Sequence, residues 1–192
     1  MKKHRVILFL LIAASLAVAS CRSRTDRSEG TVVLSVTRFN GLPVSVSVGG
    51  SQPGAVSCNP SCQIGDVTLT NFFKDPTVNT PMGHQLEGIE LRSYEVTYRR
   101  RDRGTRVPPP AVLGTFGLVP PSGGILDLLN LPFLTSDQIF SPPLRDLLDF
   151  GRDTETGTAV IVLDVSMRFF GRTLSGDEVA SAPATFTIEV TP

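Results

Sequence analysis

The chain has 192 residues, of which 41% are hydrophobic, and it balances 18 lysines and arginines against 18 aspartates and glutamates. A chain without an excess of basic residues has no general attraction for nucleic acid, so bulk charge argues against that class of partner. The length suits one domain with a proper hydrophobic core. Frequent proline and glycine, with no tryptophan, favour short strands joined by many turns.

The chain begins with an export signal. Basic residues Lys2, Lys3 and Arg5 precede an almost wholly apolar run at residues 6–16, and small residues fill most of positions 17–20. This order of basic, apolar and small-residue regions is typical of a secretory signal peptide. The apolar run is shorter than the roughly 20 residues that cross a bilayer, so we interpret it as an export signal and not as a membrane anchor.

The four residues Val18-Ala19-Ser20-Cys21 resemble the lipobox of bacterial lipoproteins, in which an aliphatic residue and two small residues precede an invariant cysteine. The resemblance implies that residues 1–20 are a signal peptide cleaved before Cys21, and that the Cys21 thiol receives a diacylglycerol. Two or more acyl chains such as palmitate anchor a protein stably, because each buried CH₂ contributes about 0.8 kcal/mol. The alternative is an ordinary secreted protein with a chance cysteine near its cleavage site.

The same resemblance implies a membrane partner and a place in the bacterial cell envelope. Arg22 stands where some bacteria use aspartate to retain lipoproteins in the inner membrane, which implies the outer membrane for this chain. Residues 21–30 are polar and lack an apolar period, and we predict a lipidated flexible tether there. Cleavage would leave 15 basic against 18 acidic residues, a net charge of −3, and a single domain at residues 31–192.

Two further cysteines, Cys58 and Cys62, remain for the exported protein. Because export leads to oxidising conditions, we predict that they form a disulfide. The Asn59-Pro60 step between them favours a turn that brings the two cysteines within bridging distance. A metal site would need more ligands, and the usual redox motif is C-x-x-C, so a structural staple is favoured over either alternative.

The first half of the body alternates apolar and polar residues with a period of two. This pattern predicts strands at residues 31–37 and 44–48, and the turn signal Asn40-Gly41 between them favours a hairpin. A third strand is predicted at residues 66–74. The segments 49–63 and 75–87 read as loops.

The second half continues with strands predicted at residues 89–100 and 111–119. Residues 125–134 are apolar enough for a buried strand but also fit helical spacing, and we favour the strand. Ser141-Pro142 has the form of a helix start and Gly151 that of a C-terminal cap, which predicts one short helix near residues 142–150.

The clearest strand follows at residues 161–169, where apolar residues on one face and partly on the other predict a central position in a sheet. Residues 184–190 alternate apolar and polar positions and predict a terminal strand with one face in solvent. Seven to eight short strands with at most one helix indicate an all-β protein folded as an antiparallel β-sandwich.

The segment from Asp153 to Ala159, between a helical turn and a central strand, resembles the corner before the sixth strand of immunoglobulin-like domains. The resemblance implies an immunoglobulin-like or fibronectin-III-like sandwich. The corner tyrosine, the strand cysteine and the core tryptophan of that class are missing from this sequence. Asp153 and Glu155 could also be calcium ligands, but the spacing of an EF-hand loop is absent, and we interpret them as turn acids.

The sequence carries no recognisable catalytic constellation, and we expect no catalytic residues, no cofactor and no metal. His84 is the only histidine after residue 20, and a lone loop histidine is usually solvated. Neither a G-x-S-x-G nucleophile motif nor a P-loop is present. We therefore expect a non-enzymatic structural or binding module, with an envelope hydrolase or small-ligand-binding protein built on loops as the alternative.

Two surfaces are candidates for binding. The first is an arginine-rich strand end, where guanidinium groups suit phosphate and carboxylate anions of lipid headgroups or an acidic envelope partner; its members are Arg99, Arg100, Arg101, Arg103 and Arg106. The alternative is a solvated turn that protects a strand end from aggregation. The second is the apolar, proline-rich segment from Val107 to Leu148, which is either a roof over the core or an exposed patch.

Overall fold

The computed structural model describes residues 31–50, 53–58, 61–75 and 85–192. Thr31–Pro192 forms one compact unit. The predicted signal peptide, the lipidation site Cys21 and the tether at residues 21–30 lie outside the described residues, and so does His84.

The described residues form ten strands and two short helices, which confirms the all-β prediction. The strands are β1 (Val32–Asn40), β2 (Ser45–Ser47), β3 (Val56–Ser57), β4 (Cys62–Phe73), β5 (Ile89–Arg100), β6 (Ala111–Val119), β7 (Ile125–Leu134), β8 (Ile161–Thr173), β9 (Glu178–Ala180) and β10 (Ala184–Thr191). The helices are α1 (Ser136–Ile139) and α2 (Leu144–Phe150), and Gln85–Glu87 adds one 3₁₀ turn. The predicted count of seven to eight strands was low because β3 and β9, with only two and three residues, were not predicted.

The strands are arranged in two sheets. One has the order β1-β4-β7, and the other has the order β3-β2-β10-β8-β5-β6, with β9 paired to β8. Most neighbours are antiparallel, but β2 lies parallel to both β10 and β3. The sandwich is therefore not purely antiparallel.

The predicted hairpin between the first two strands is wrong. Gly41 does form a turn, with φ of +64°, but the chain then crosses to the other sheet. β1 pairs with β4 instead, and a Cβ at Gly41 would lie 3.2 Å from the Cα of Gly65 in β4. The turn signal was right about the local bend, and the pairing was decided by packing between distant strands.

The core lies between the two sheets and is built by alternating side chains. In β5 the inward residues include Tyr94, whose ring stacks on Phe169 of β8 with centroids 5.5 Å apart. The Tyr94 hydroxyl donates to the carbonyl oxygen of Pro132 (2.9 Å), and the Tyr98 hydroxyl donates to that of Phe133 (2.6 Å). Burial raises the pKa of both tyrosines, so both hydroxyls remain protonated donors to β7.

β8 is central, as predicted: it lies between β5 and β10 and has 13 residues. The strand predicted at residues 125–134 is also confirmed, as β7. The predicted short helix is α2, which begins two residues later than expected because Pro142 and Pro143 precede it. Gly151 caps α2 with φ of +66°, as its sequence position predicted.

Candidate functional site: the arginine-rich strand end

The arginine-rich segment runs from the end of β5 through a turn at residues 101–104. Alternation along β5 directs Tyr98 and Arg100 into the sandwich, while Arg99 and Arg101 are exposed on the other face. The two-residue period of a strand produces this split. It separates the five arginines into groups with different surroundings.

Arg100 is buried and hydrogen-bonded to Asp102, Asp153 and the backbone of Arg106. Its side chain is 2% exposed, and its Nε and Nη2 donate to the two carboxylate oxygens of Asp102 at 2.6 and 2.8 Å. Nη2 also donates to Asp153 Oδ2 at 3.0 Å, and Nη1 donates to the backbone carbonyl of Arg106 at 3.3 Å. A bidentate guanidinium–carboxylate pair of this kind has charge-assisted bonds that are stronger than neutral ones. These bonds use four of its five N–H donors, and burial keeps the Arg100 side chain away from an external ligand.

Arg106 approaches the same acids from the rim and is 40% exposed. Its Nη2 donates to Asp146 Oδ2 at 2.8 Å, to Asp153 Oδ1 at 3.2 Å and to the Thr154 hydroxyl at 2.8 Å. Its Nε lies 3.7 Å from Glu155 Oε2. Arg106 therefore joins Asp146, in the first turn of α2, to the acids of the turn that follows the helix.

Asp153 is the centre of this arrangement, which we call the ion network: Arg100, Arg106, Asp102, Asp146, Asp153 and Glu155. The Asp153 side chain is fully buried. Burial alone would raise its pKa, but the Thr156 hydroxyl, the Arg100 guanidinium and the Glu155 N–H all donate to the carboxylate and lower the pKa to about 2. The carboxylate is thus ionised at any physiological pH.

The other acids are also held in the charged form. The Thr105 hydroxyl, with the backbone N–H groups of Arg106 and Thr105, lowers the pKa of Glu155 to about 2. The pKa of Asp146 is lowered first by the Thr154 hydroxyl and then by Arg106. The Glu155 carboxylate therefore hydrogen-bonds the backbone of Thr105 and Arg106 and links that segment to the turn before β8.

The interpretation of Asp153 and Glu155 as turn acids fits these contacts. The Asp153 N–H donates to the Thr158 carbonyl, and the Gly157 N–H donates to the Asp153 carbonyl, each at 2.8 Å. Within the described ranges, no group of three or more histidines, cysteines, aspartates or glutamates is placed to hold a metal ion. The pairing of these acids with Arg100 and Arg106 was missed in the sequence, where the partners are separated by 47 to 53 positions.

Three of the five candidate arginines remain on the surface: Arg99, Arg101 and Arg103. Arg101 makes one weak ion pair, Nε to Asp164 Oδ1 at 3.7 Å, and donates to the Thr187 hydroxyl at 3.2 Å. An exposed pair of this kind contributes little to stability. We call these three residues the exposed arginines, and they are the members of the predicted anion site that lie outside the ion network.

Cys58 and Cys62 form a disulfide, with their Cα atoms 4.6 Å apart. The bridge joins the residue after β3 to the first residue of β4, and the Cys58 N–H donates to the Ser47 carbonyl at 2.9 Å. Both cysteines are buried. This position at a strand start suits the predicted structural staple.

A cavity of about 250 Å³ lies beside the disulfide. Its lining is Val48, Gly49, Gly50, Ser57, Cys58, Ile139, Phe140 and Leu148. The volume is below the about 300–1,000 Å³ usual for ligand pockets. These described lining residues offer apolar contact but no acid or base that could carry out hydrolysis.

The segment from Val107 to Leu148 combines both predicted roles. Phe133, Leu144 and Leu147 are part of the core, whereas Val112 and Phe116 of β6 are exposed. The helices within the described residues are all too short or too polar to span a bilayer.

Comparisons with known proteins add one structural likeness. No protein-family model matches the chain, and no curated protein matches it. Among solved structures, the chain is similar to the solution structure of a candidate late embryogenesis abundant (LEA) protein, with 13% identity and a TM-score of 0.39. The match covers 100% of this chain and 86% of the other. The function proposed below is therefore derived from this chain's own residues.

Proposed function

We propose that the protein is a lipid-anchored, non-enzymatic structural or binding module of the bacterial cell envelope, held in the outer membrane through Cys21. The observation that carries the proposal is the order of an export signal, the lipobox Val18-Ala19-Ser20-Cys21 and a polar tether before a single β unit. The compact unit Thr31–Pro192 contains the whole described hydrophobic core, which fits a module presented on a tether.

The anchor is tested by labelling cells with a radioactive or clickable fatty acid. We expect label on the wild-type chain and none on the Cys21→Ala variant, which should also leave the membrane fraction. Equal labelling of both chains would overturn the proposal. An Arg22→Asp variant keeps the acceptor cysteine and tests the membrane: it should remain labelled but shift towards the inner membrane on a density gradient, in a host that uses the aspartate rule.

The exposed arginines are the proposed binding surface of the module. Because the ion network already neutralises Arg100 and Arg106, the external charge at this end comes from Arg99, Arg101 and Arg103. Their chemistry suits phosphate or carboxylate groups, whether on lipid headgroups or on an acidic envelope partner. Near an anionic membrane surface, each arginine contributes about 1 kcal/mol.

The test compares binding of the unacylated chain to anionic vesicles, zwitterionic vesicles and an acidic polysaccharide at two salt concentrations. We expect binding that weakens with salt, because exposed charges are screened over about 10 Å at 0.1 M. Changing Arg99, Arg101 and Arg103 to serine should abolish it. The matched control makes the same change at Arg38, Arg92 and Arg172, which are exposed and not adjacent to any member of the ion network, and alters the net charge equally. Equal losses in both triple variants would reduce the effect to bulk charge, and no binding at low salt would overturn this surface.

The alternative of an envelope hydrolase or small-ligand-binding protein would place the site in the cavity beside Cys58. The apolar lining of that cavity supports a small apolar ligand better than a hydrolytic reaction. A screen of small apolar probes by thermal shift tests this alternative. A rise in the melting temperature that is lost in Ser57→Leu, which adds bulk to the cavity lining, would favour it over the module.

A further inference from the structure

The open edges of the two sheets differ in how well they are protected from pairing with another chain. An edge strand presents unpaired N–H and C=O groups, and proteins usually protect it by shortness, charge, proline or a bulge. Among the described strands, β3 has only two residues, and β1 contains the exposed and charged Arg38. β7 contains Asp127, Asn130 with φ of +54°, and Pro132.

The edge strand β6 has neither charge nor proline in its nine residues. It pairs with β5 on one side, and no described strand pairs with its other side. Its pairing with β5 shifts register between Leu91 and Ser93, but burial alternates along β6 without a break. The outward side chains are large and apolar: Val112 is 69% exposed, Phe116 is 89% exposed and Leu118 is 49% exposed.

This apolar surface is confined to the strand with the open edge. On the neighbouring β5, Glu90 is paired with Leu118 and Glu95 with Val112, so the same face of the sheet becomes charged one strand inward. No charged residue occurs between Arg106 and Asp127 in the sequence. A second copy of this strand could therefore approach without repulsion between like charges.

We propose that β6 pairs antiparallel with β6 of a second copy of this chain, joining the two larger sheets into one continuous sheet across a two-fold axis at Thr115. This register places Val112 opposite Leu118 of the second copy and Gly114 opposite Phe116 of the second copy. A side chain at Gly114 would meet no atom within 4 Å, so open space lies where the opposing Phe116 ring would pack. The strand is complementary to itself in this register.

The sequence limits the pairing to β6. Prolines at 108–110 and at 120 and 121 flank the strand and cannot donate to a ladder. Insertion of this edge into lipid is disfavoured because its open backbone groups would lose water without gaining partners. A second copy satisfies those groups and covers the apolar side chains together. The inference does not depend on the lipid anchor.

The experiment places one cysteine on the proposed axis of the full-length chain. Residues facing each other in an antiparallel pair have Cα atoms about 4.5 or 5.5 Å apart, which is within the range of a disulfide. Under mild oxidation in the cells that produce the chain, Thr115→Cys should give a reducible dimer on gels. Thr185→Cys, exposed on the internal strand β10, is the matched control and should remain monomeric.

A second change distinguishes specific pairing from chance collision. Adding Phe116→Arg to Thr115→Cys should abolish the crosslinked dimer, because it brings two charges into the joint sheet. Adding Phe150→Arg should leave the dimer intact, because Phe150 is 64% exposed but lies in α2, away from the edge. Both phenylalanines are largely in solvent, so both variants should fold.

Three results would overturn the inference. The first is a Thr115→Cys chain that stays monomeric and reacts freely with a water-soluble maleimide. The second is equal crosslinking of Thr115→Cys and Thr185→Cys, which would indicate collision. The third is a monomeric Phe116→Cys chain that is shielded from maleimide only when vesicles are present, which would assign the strand to the membrane surface.

Discussion

The ion network and the edge strand β6 satisfy their polar groups in opposite ways. In the ion network, Arg100 and Asp153 are almost wholly buried, yet every charge has an opposite charge or a hydrogen-bond donor beside it. In β6 the side chains are apolar and exposed, and one row of backbone groups has no strand beside it. The charged residues of the ion network therefore contribute mainly to structure. The uncharged strand β6, in contrast, leaves apolar side chains and a row of backbone N–H and C=O groups without a protein partner among the described residues.

The difference shows how a cluster of charged residues should be interpreted. Five arginines within eight positions suggest a ligand site, but two of them are neutralised by acids of the same chain. A ligand therefore interacts only with the charges that are not already paired within the protein.

Replacing Asp153 with asparagine should cause the largest loss of stability. The change leaves Arg100 buried with one ionic partner fewer, and breaking a buried ion pair costs about 3–5 kcal/mol. Because Asp102 still contacts Arg100, we expect the lower end of this range, about 3 kcal/mol, in urea-induced unfolding of the variant. Asp149→Asn is the control: it removes an exposed pair with Arg145 and should cost under about 0.5 kcal/mol. A similar small effect at both positions would show that the ion network does not stabilise the fold.

Replacing Gly104 with alanine tests how closely the arginine turn packs. A Cβ at Gly104 would collide with the Arg100 guanidinium, which Asp102 and Asp153 hold in place. Overpacking of this kind costs about 1–3 kcal/mol, and we expect about 2 kcal/mol in the free energy of unfolding. Gly114→Ala in β6 is the matched control, because open space surrounds that position and the fold should keep its stability. Equal losses in the two variants would contradict the packing difference.

Local sequence pattern was sufficient for most of the strands. The predicted bounds of β5 and β6 coincide with the observed strands because their alternation is long and bordered by glycine, proline or charge. The pairing of one strand with another could not be predicted from local sequence pattern. The three residues of β2 pair in parallel with the last strand of the chain, across more than 140 positions. That contact is decided by the packing of the whole core and leaves no local signal.

Side-chain contacts between distant residues, such as those of the ion network, could not be predicted from local sequence either. The arginines were visible as a cluster, and Asp153 and Glu155 were visible as turn acids, but nothing local joins the two groups. A signal does exist in retrospect: the arginines at 99–106 are balanced by acids at 146–155, each set at a turn beside a long strand. The open edge of β6 was likewise hidden, because alternation predicts a strand but not its neighbours.

Acid should weaken the ion network before it affects β6. The pKa of Asp153 is lowered from an ordinary 3.8 to about 2, so its contribution to stability is complete above about pH 4 and is lost as the pH falls to about 2. Glu155, whose pKa is also about 2, loses its contribution over the same window. We expect Asp153 to account for about 1–2 kcal/mol of the decrease, measured by urea unfolding at several pH values. The Asp153→Asn variant should show a shallower decrease, and an unchanged slope would contradict the assignment.

The smallest effect on stability is expected at the exposed arginines, which lie outside the ion network. Arg101→Ser removes one ion pair of 3.7 Å to Asp164 and a hydrogen bond to Thr187, both on the solvent-facing side of the sheet. Such a pair contributes less than about 1 kcal/mol, and salt screens it further, so unfolding should change by under about 0.5 kcal/mol. Binding to anionic vesicles should nevertheless weaken, because one of three solvent-facing guanidinium groups is gone. If Arg101→Ser destabilised the fold as much as Asp153→Asn does, Arg101 would belong to the structural charges, and the proposed binding surface would be reduced to Arg99 and Arg103.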